Sequence, residues 1–247
     1  MSNHSGLWKI VRFNWPWYAA AVATTAAGIL VLQSGALGGL CSALVAVGLV
    51  VANFWLLVSL AVSHYVYDRS AVSRGAWLDG VEPTSVRCAA VFHAGQDEAS
   101  ETVARVLPRA EIHVFDFYDP IHNGTPSLER ARALADVHAV AITPDNIPLN
   151  DAVLDLGLVV FAAHELRRDG ERAAFFRELA RALTPTGRLV IVEHLRNGWN
   201  FLAYGPGAFH FLSQKTWDRS FGDSGLQLLR ATSCTPFVRV FELAKAP

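Results

Sequence analysis

Two histidines and a glutamate stand directly after apolar runs that have the length and composition of buried strands. His164 and Glu165 follow the run at residues 153–162, and His194 follows the run at residues 188–192. A neutral imidazole with an ordinary pKa is suited to proton transfer at pH 7. The other interpretation is that each histidine only caps the loop at the end of its strand. The pattern makes all three residues candidates for general acid–base chemistry.

An aromatic segment without charge follows the second of these histidines. Between Arg196 and Lys215 the chain has no Asp, Glu, Lys or Arg, and Tyr204 and His210 are the polar side chains of interest there. One interpretation is a helical lid that buries its aromatic rings against the domain. The other is a segment that touches a lipid interface and admits an apolar molecule. In the second case Tyr204 and His210 would line the site.

Metal-ligand spacing is not evident in the sequence. The chain has nine histidines and three cysteines, but no His-x-x-x-His or Cys-x-x-Cys pair stands out. The sequence therefore predicts no metal site, and it predicts that Cys41, Cys88 and Cys234 are reduced structural thiols.

The elements that must position these residues alternate between strands and helices. Short apolar runs at residues 87–92, 112–115, 138–142, 153–162 and 188–192 predict strands, and residues 98–107, 128–135 and 170–183 have helical patterns. A turn is predicted at 184–187, and 226–233 and 238–243 are predicted to form an antiparallel pair. Such alternation favours a mainly parallel sheet with helices on both faces, which binds its ligands beyond the carboxyl ends of the strands.

Three stretches of this pattern resemble one enzyme family. They are FRELARALTPTGRLVIVEH at residues 176–194, LPRAEIHVFD at 107–116, and Ile-Pro-Leu at 147–149. Together they resemble class I S-adenosylmethionine-dependent methyltransferases over about residues 86–245, with the branch that methylates quinones and lipid-like acceptors as the nearest. The resemblance implies an α/β, Rossmann-like methyltransferase sheet with helices on both faces. It also implies S-adenosylmethionine as the cofactor.

The resemblance assigns roles residue by residue. Asp116, at the end of the second strand, would hold the ribose, and Gly95 would lie under the methionine part of the cofactor. The cofactor-binding set that it implies is His93, Gly95, Asp116, Phe117, Asp145 and Asn146. The catalytic candidates come from the strand ends and the aromatic segment described above: His164, Glu165, His194, Tyr204 and His210. The family's glycine-rich turn after strand one is an acid followed by Gly-x-Gly-x-Gly, whereas this chain has Val91-Phe92-His93-Ala94-Gly95-Gln96-Asp97 and keeps only Gly95.

The N-terminal quarter of the chain has a different composition. Charged residues make up 17% of the chain, against about 25% in an average soluble domain, and none lies between Arg12 and Asp68. The rest of the chain carries 19 basic and all 22 acidic residues, a net charge of −3. This distribution argues against a wholly soluble chain, a disordered chain and a nucleic-acid-binding protein, because no basic patch stands out.

A run of 55 uncharged residues has room for two membrane-spanning helices of about 20 residues. We expect them at about residues 13–32 and 40–63, joined at Gln33-Ser34-Gly35, with aromatic residues near both ends of the hairpin. Basic residues flank the hairpin, so the positive-inside rule predicts that both termini and the globular part are cytoplasmic, at the inner membrane if the organism is bacterial. A signal peptide or a buried hairpin of a soluble protein are the alternatives. The small residues of this hairpin suit close helix packing, within one chain or between two copies.

The domain organisation that follows is an N-terminal tail and transmembrane hairpin (1–67), a juxtamembrane linker (68–85) and a methyltransferase-like domain (86–247). The first functional hypothesis is a membrane-anchored methyltransferase that acts on a hydrophobic small molecule or lipid. The second is a catalytically silent methyltransferase-like module that binds or scaffolds at the membrane, which the altered glycine turn favours. The third is another Rossmann-type enzyme, such as a nicotinamide-dependent reductase, which the missing Gly-x-Gly-x-x-G disfavours.

Overall fold

A computed structural model describes residues 6–122, 124–133 and 139–247 of the chain. Two long apolar helices come first, α1 (Gly6–Gln33) and α2 (Gly39–His64), and both extend beyond the predicted spans. Their most apolar stretches are long enough to cross a membrane, and none of the residues in those stretches is buried. The helices are therefore apolar on the outside, unlike core helices of a soluble domain.

Helices α1 and α2 pack closely at Gly28, which has no side chain. A Cβ at Gly28 would lie 2.7 Å from the Leu49 side chain, so the glycine permits the close approach. The side-chain amide of Asn53 donates a hydrogen bond to the Thr25 hydroxyl at 3.1 Å and joins the same two helices. Between the helices the chain reverses at Gly35, whose φ of +67° is in the left-handed region that glycine adopts readily.

The globular part is built on a seven-stranded sheet, as the sequence predicts. Its strands are β1 (Cys88–His93), β2 (Glu111–Asp116), β3 (Val140–Ala141), β4 (Leu154–Val160), β5 (Leu183–His194), β6 (Leu226–Thr235) and β7 (Val238–Lys245). They lie in the order β3-β2-β1-β4-β5-β7-β6. All pairings are parallel except those of β7, which runs antiparallel to β5 and to β6. The carboxyl ends of β1, β2, β4 and β5 consequently meet at one edge.

The remaining helices are α3 (Ser100–Val106), α4 (Pro126–Arg132), α5 (Asp169–Ala182), α6 (Gly198–Tyr204) and α7 (Gln214–Gly222). Helices α5 and α7 cover one face of the sheet with a core of aromatic rings that includes Phe175, Phe176 and Trp217. Val103 of α3 packs on the other face. The expectation of helices on both faces is confirmed.

Some predicted boundaries were wrong. The third strand has two residues rather than five, and its predicted start at His138 lies outside the described residues, as do positions 134–135 of the predicted 128–135 helix. The predicted turn at 184–187 lies inside β5, because Leu183 pairs with Leu154 while Arg188 pairs with Leu156. Residues 184–187 form a bulge between these two pairs. Pro185 and Gly187, which are typical of turns, are thus accommodated without ending the strand.

The segment predicted as a juxtamembrane linker (68–85) packs on the sheet. Val72, Trp77 and Leu78 of this segment, and Val66 just before it, are buried against the face that α3 also covers. The Trp77 indole donates a hydrogen bond to the Val72 carbonyl at 3.1 Å. Trp77 is one of the aromatic residues expected near the second end of the hairpin, in a belt at the lipid boundary. This expectation was wrong, because its ring is buried in the core.

Candidate active site

The carboxyl end of β4 leads into a 3-10 turn, Ala163–Glu165, that carries the first predicted pair. The Nδ1 atom of His164 lies 2.8 Å from a carboxylate oxygen of Glu193, and the other oxygen accepts the His164 backbone N–H at 3.1 Å. Glu193 is fully buried in β5. Because its carboxylate can only accept, the hydrogen lies on Nδ1 and the Nε2 atom of His164 is directed away from the sheet.

A second layer of polar groups surrounds that Nε2 atom. It lies 3.4 Å from Oε1 of Glu165, and the same oxygen lies 3.3 Å from Nε2 of His210. The rings of His164 and His210 meet edge to face with centroids 5.1 Å apart. Arg167 approaches Glu165 at 3.6 Å and donates to the His210 carbonyl. Residues that are 45 positions apart in sequence thus form one cluster.

The electrostatics of this cluster differ from those of isolated side chains. Burial disfavours the charged form of His164, but the carboxylates of Glu193 and Glu165 outweigh burial and raise its pKa to about 10. Burial also raises the pKa of Glu165, but hydrogen bonds from His164 and His210 reverse this and hold it well below its usual range. In this arrangement His164 is a cation at neutral pH, not the neutral imidazole that the sequence suggested.

His194, at the end of β5, has a different environment. Its Nδ1–H donates to the Phe237 carbonyl at 3.0 Å, and its Nε2 atom accepts the Tyr67 hydroxyl at 3.1 Å. Its ring stacks on Phe211 and Phe161 with centroids 4.8 and 5.0 Å apart. Burial lowers the His194 pKa to about 4, so this imidazole is neutral at pH 7. The proton-accepting form expected from the sequence fits His194.

The aromatic segment forms α6 and a following 3-10 turn, Gly205–His210, which together pack on α2. Gly205 has φ +54° and ψ −134°, a conformation that favours glycine, and a Cβ there would meet the Trp55 ring at 3.0 Å. Trp199, Phe201, Leu202 and Phe209 of this segment remain exposed. Burial raises the pKa of Tyr204 to about 12, which keeps its hydroxyl protonated. Of the two interpretations, the exposed rings favour contact with an apolar surface over a buried lid.

The turn after β1 is held by the acid at the end of β2. Oδ1 of Asp116 accepts the backbone N–H groups of Gly95 at 2.8 Å and Tyr118 at 2.9 Å, and Oδ2 pairs with the Arg132 guanidinium. Gly95 has φ +86°, which favours glycine at this position. Asp116 is therefore at the predicted place, but both of its oxygens already have partners within the chain.

Other members of the predicted cofactor set are dispersed. His93 is 1% exposed, and its Nδ1 atom lies 3.6 Å from Asp116 Oδ1, too far for a hydrogen bond. The Phe117 side chain packs on Phe175 in the core, and Asp145 and Asn146 lie in an exposed turn after β3.

One cavity of about 720 Å³ connects the two halves of the site. It reaches Ala94 and Gln96 of the turn after β1 at one end and Phe13, Trp17 and Ser59 of the apolar helices at another. All five predicted catalytic residues line it: His164, Glu165, His194, Tyr204 and His210. The structure thus brings together every member of that set beside the apolar helices.

Sequence reasoning missed four residues of this site. Glu193 carried a signal, since a charged residue in an otherwise apolar strand needs a partner. Arg132, Arg167 and Tyr67 carried none, because surface arginines and a tyrosine beside an apolar helix have many ordinary roles. These three belong to the site because of the residues that they contact in the structure, which are Asp116, His210 and His194.

Comparison with solved structures supports the fold. The chain is similar to the mitomycin 7-O-methyltransferase MmcR, with a TM-score of 0.54 and 18% identity over 96% of this chain and 71% of that one. It is also similar to a geranyl diphosphate methyltransferase solved with GPP and sinefungin, with a TM-score of 0.50 and 13% identity over 75% and 81% of the two chains. No protein-family profile and no curated protein matches the chain. The fold is therefore that of S-adenosylmethionine-dependent methyltransferases, which is Rossmann-like.

Proposed function

We propose that the chain is an S-adenosylmethionine-dependent methyltransferase that acts on a hydrophobic small molecule or lipid at the cytoplasmic face of a membrane. The observation that carries this proposal is the cavity that runs from the strand ends to α1 and α2. A cavity lined by Phe13 and Trp17 on one side and by imidazole and carboxylate groups on another suits an acceptor with an apolar body and a polar end.

The proposed cofactor would carry its methyl group on a sulfonium sulfur. An acceptor can attack that methyl carbon without further activation of the donor. The turn after β1 is where the cofactor would bind, because Ala94 and Gln96 of that turn line the cavity, while Gly95 between them is buried beside Tyr118. Asp116 has the position for a ribose-binding carboxylate. To accept ribose hydroxyls on Oδ2 it must share that oxygen with Arg132, whose side chain is 40% exposed and can move toward solvent. Asp145 and Asn146 are proposed to border the adenine.

On the acceptor side the chain would orient the acceptor and take up a proton where the acceptor must lose one. His194 is a neutral imidazole whose Nε2 atom lies beside the cavity and exchanges a hydrogen bond with Tyr67. An acceptor hydroxyl that replaces Tyr67 on that nitrogen would donate a hydrogen bond to it and be oriented by it. Because an imidazole with a pKa of about 4 is a weak base, it would hold the acceptor's proton only transiently. Tyr204 would donate a hydrogen bond to the acceptor, since burial keeps it protonated.

Membrane anchoring through α1 and α2 belongs to the same proposal. The two helices are long, apolar and unburied, and basic residues at both ends favour an orientation with the globular part in the cytoplasm. Tethering keeps the site near lipid-dissolved acceptors and raises their effective concentration. The hairpin also offers a surface for association of two copies.

A specific contact favours the second candidate function, a catalytically silent module. The Asp116–Arg132 pair satisfies within the chain the carboxylate that a ribose would use. In that case the cavity would bind an apolar partner and no cofactor.

Calorimetric titration of the full-length, detergent-solubilised protein with S-adenosylmethionine and with S-adenosylhomocysteine separates the two. Saturable binding of one molecule per chain supports the methyltransferase. Absence of binding, in a preparation whose near-UV circular dichroism shows a folded core, would leave the silent module. A parallel titration with NADPH tests the reductase, for which we expect no binding.

A further inference from the structure

The cluster formed by His164, Glu165 and His210 has the composition and spacing of a metal site. We propose that it binds a divalent transition-metal ion of the Zn²⁺ type, whose open coordination position faces the cavity. Two histidines and one glutamate are a known ligand set of zinc sites that keep a position for water or substrate. The sequence predicted no metal because the three ligands come from two distant segments.

Distances between the ligand atoms support the proposal. Zinc bonds of 2.0–2.1 Å in a tetrahedron place neighbouring ligand atoms about 3.4 Å apart. Oε1 of Glu165 lies 3.4 Å from Nε2 of His164 and 3.3 Å from Nε2 of His210. The ligand atoms of the three residues all lie within 4.8 Å of one another. His210 is on the exposed side of the cluster. A small movement of its ring toward the other two ligands would place the three ligand atoms at three corners of a tetrahedron.

Metal-binding histidines usually donate their other ring N–H to a carboxylate or carbonyl oxygen, and His164 has such a partner. Nδ1–H of His164 is fixed by Glu193, which leaves Nε2 as the outward atom. A metal ion that binds Nε2 replaces the proton that this atom carries in the cationic form, and the proton is released to solvent. Glu193 is fully buried and Glu165 is mostly buried, so two carboxylates surround the position and favour a cation there. Among the described residues this is the one group of three or more potential ligands found at such spacing.

Arg167 closes the fourth side of the cluster. Its guanidinium lies against the His210 ring and 3.6 Å from Glu165 Oε2. Its charge opposes a metal ion, so bound metal must displace it toward solvent. Removal of a ligand should therefore weaken metal binding, whereas loss of the Arg167 charge should strengthen it.

The function of the ion rests on the proposed methyltransferase activity. The cluster lies on the wall of the cavity that also holds His194 and Tyr204. An ion there would bind an acceptor through an oxygen atom, such as a hydroxyl or phosphate oxygen, and hold it at the inner end of the cavity. The acceptor class is thus narrowed to apolar molecules that carry a metal-binding oxygen.

Metal binding itself is tested without any activity assay. Full-length protein in detergent, with any purification tag of histidines removed, is treated with a chelator and titrated with Co²⁺ and with Zn²⁺. We expect one ion per chain, a visible Co²⁺ spectrum of a four- or five-coordinate site, and its bleaching by Zn²⁺. His210→Gln and Glu165→Gln should weaken binding by roughly a hundred-fold or more, Glu193→Gln by about 10- to 100-fold, and Arg167→Gln should strengthen it.

His113→Gln is the matched control, because His113 also lies beside a glutamate but outside the cavity. His210 is exposed at the edge of the cluster, so its replacement should not unfold the chain, and near-UV circular dichroism checks this. Absence of the Co²⁺ spectrum in the wild type, or equal binding by wild type and His210→Gln, would overturn the metal site. S-adenosylmethionine titration of the same samples reports separately on the proposed function.

Discussion

The Tyr67 hydroxyl donates a hydrogen bond to Nε2 of His194 at 3.1 Å, across 127 positions of sequence. Tyr67 lies in the π-helical turn that continues α2, and His194 ends β5, which lies next to the central strand β4. Their rings also meet edge to face, with centroids 6.1 Å apart. This contact connects the apolar helices directly to the carboxyl edge of the sheet.

Replacing Tyr67 with phenylalanine should loosen that connection while retaining the ring. A neutral hydrogen bond contributes about 0.5–1.5 kcal/mol, and the unpaired imidazole nitrogen adds a desolvation cost. We expect a loss of about 1 kcal/mol in the free energy of unfolding, measured by tryptophan fluorescence in detergent. Tyr65→Phe is the matched control, because Tyr65 is exposed and its ring contact with Phe237 does not need the hydroxyl. Equal effects of both substitutions would contradict the role of the bond.

The depressed pKa of His194 predicts an acid-sensitive contribution to stability. Its folded pKa of about 4 lies below the ordinary 6.5, so the unfolded chain takes up a proton that the folded chain refuses. The contribution of this residue is fully present above pH 6.5 and is lost as the pH falls toward 4, by roughly 3 kcal/mol. The ring is faced by Tyr67, Tyr204 and the cationic His164, and none of these would accept the proton in its place.

The measurement is the pH dependence of the free energy of unfolding in wild type and His194→Asn between pH 4 and 7. The asparagine amide can still donate to the Phe237 carbonyl, and it does not titrate. We expect a shallower pH dependence in the variant, and no such change in His122→Asn, which replaces an exposed histidine. Parallel curves for all three proteins would show that His194 does not set this dependence.

Asp116 and Arg132 should affect cofactor affinity in opposite directions. Asp116→Asn keeps an acceptor for the Gly95 and Tyr118 amides but loses the charge on which the proposed ribose binding depends, so affinity for S-adenosylmethionine should fall by about tenfold or more. Arg132→Ala frees Oδ2 and should raise affinity several-fold. Calorimetry measures both. Weaker binding by Arg132→Ala would mean that the arginine holds the cofactor rather than competing with it.

Removal of the exposed rings of the α6 segment should lower kcat/KM for apolar acceptors alone. Trp199 and Phe209 are 59% and 62% exposed, next to α2. Each ring that leaves water on contact with lipid contributes up to about 1.5–3 kcal/mol. The double substitution Trp199→Ser and Phe209→Ser should lower kcat/KM for a vesicle-borne acceptor by about tenfold and leave a water-soluble analogue unaffected. Leu229→Ser, an exposed apolar residue on β6, serves as the control; a loss with both acceptors would indicate a folding defect.

The proposed membrane topology predicts the response of reporter fusions. A fusion at the Ser34–Gly35 turn should report the outer side of the membrane, and a fusion after Pro247 the inner side. The basis is the distribution of Lys9, Arg12 and Arg69 around the apolar helices. Recovery of the full-length protein in the soluble fraction without detergent would contradict the anchor.

The sequence by itself determined the elements, because short-range physics decides them. Apolar runs of strand length, the 3.6-residue pattern of α5 and the 55 uncharged residues are each local properties. Since residues at the carboxyl ends of parallel strands share one edge, it also followed that His164 and His194 would be neighbours of one cavity. It failed at 138–142 and 184–187, where pairing partners rather than propensity set the strand ends.

Only the tertiary structure decided which groups meet and what charge they carry. The Glu193 carboxylate makes His164 a cation, while burial and the Phe237 carbonyl keep His194 neutral, although both histidines look alike in sequence. Arg132, the last residue of α4, contacts Asp116, and Tyr67, in the π-helical turn after α2, contacts His194, although nothing in their local sequence indicates these partners. Protonation and pairing depend on distances of a few ångströms between distant segments, and local sequence does not encode those distances.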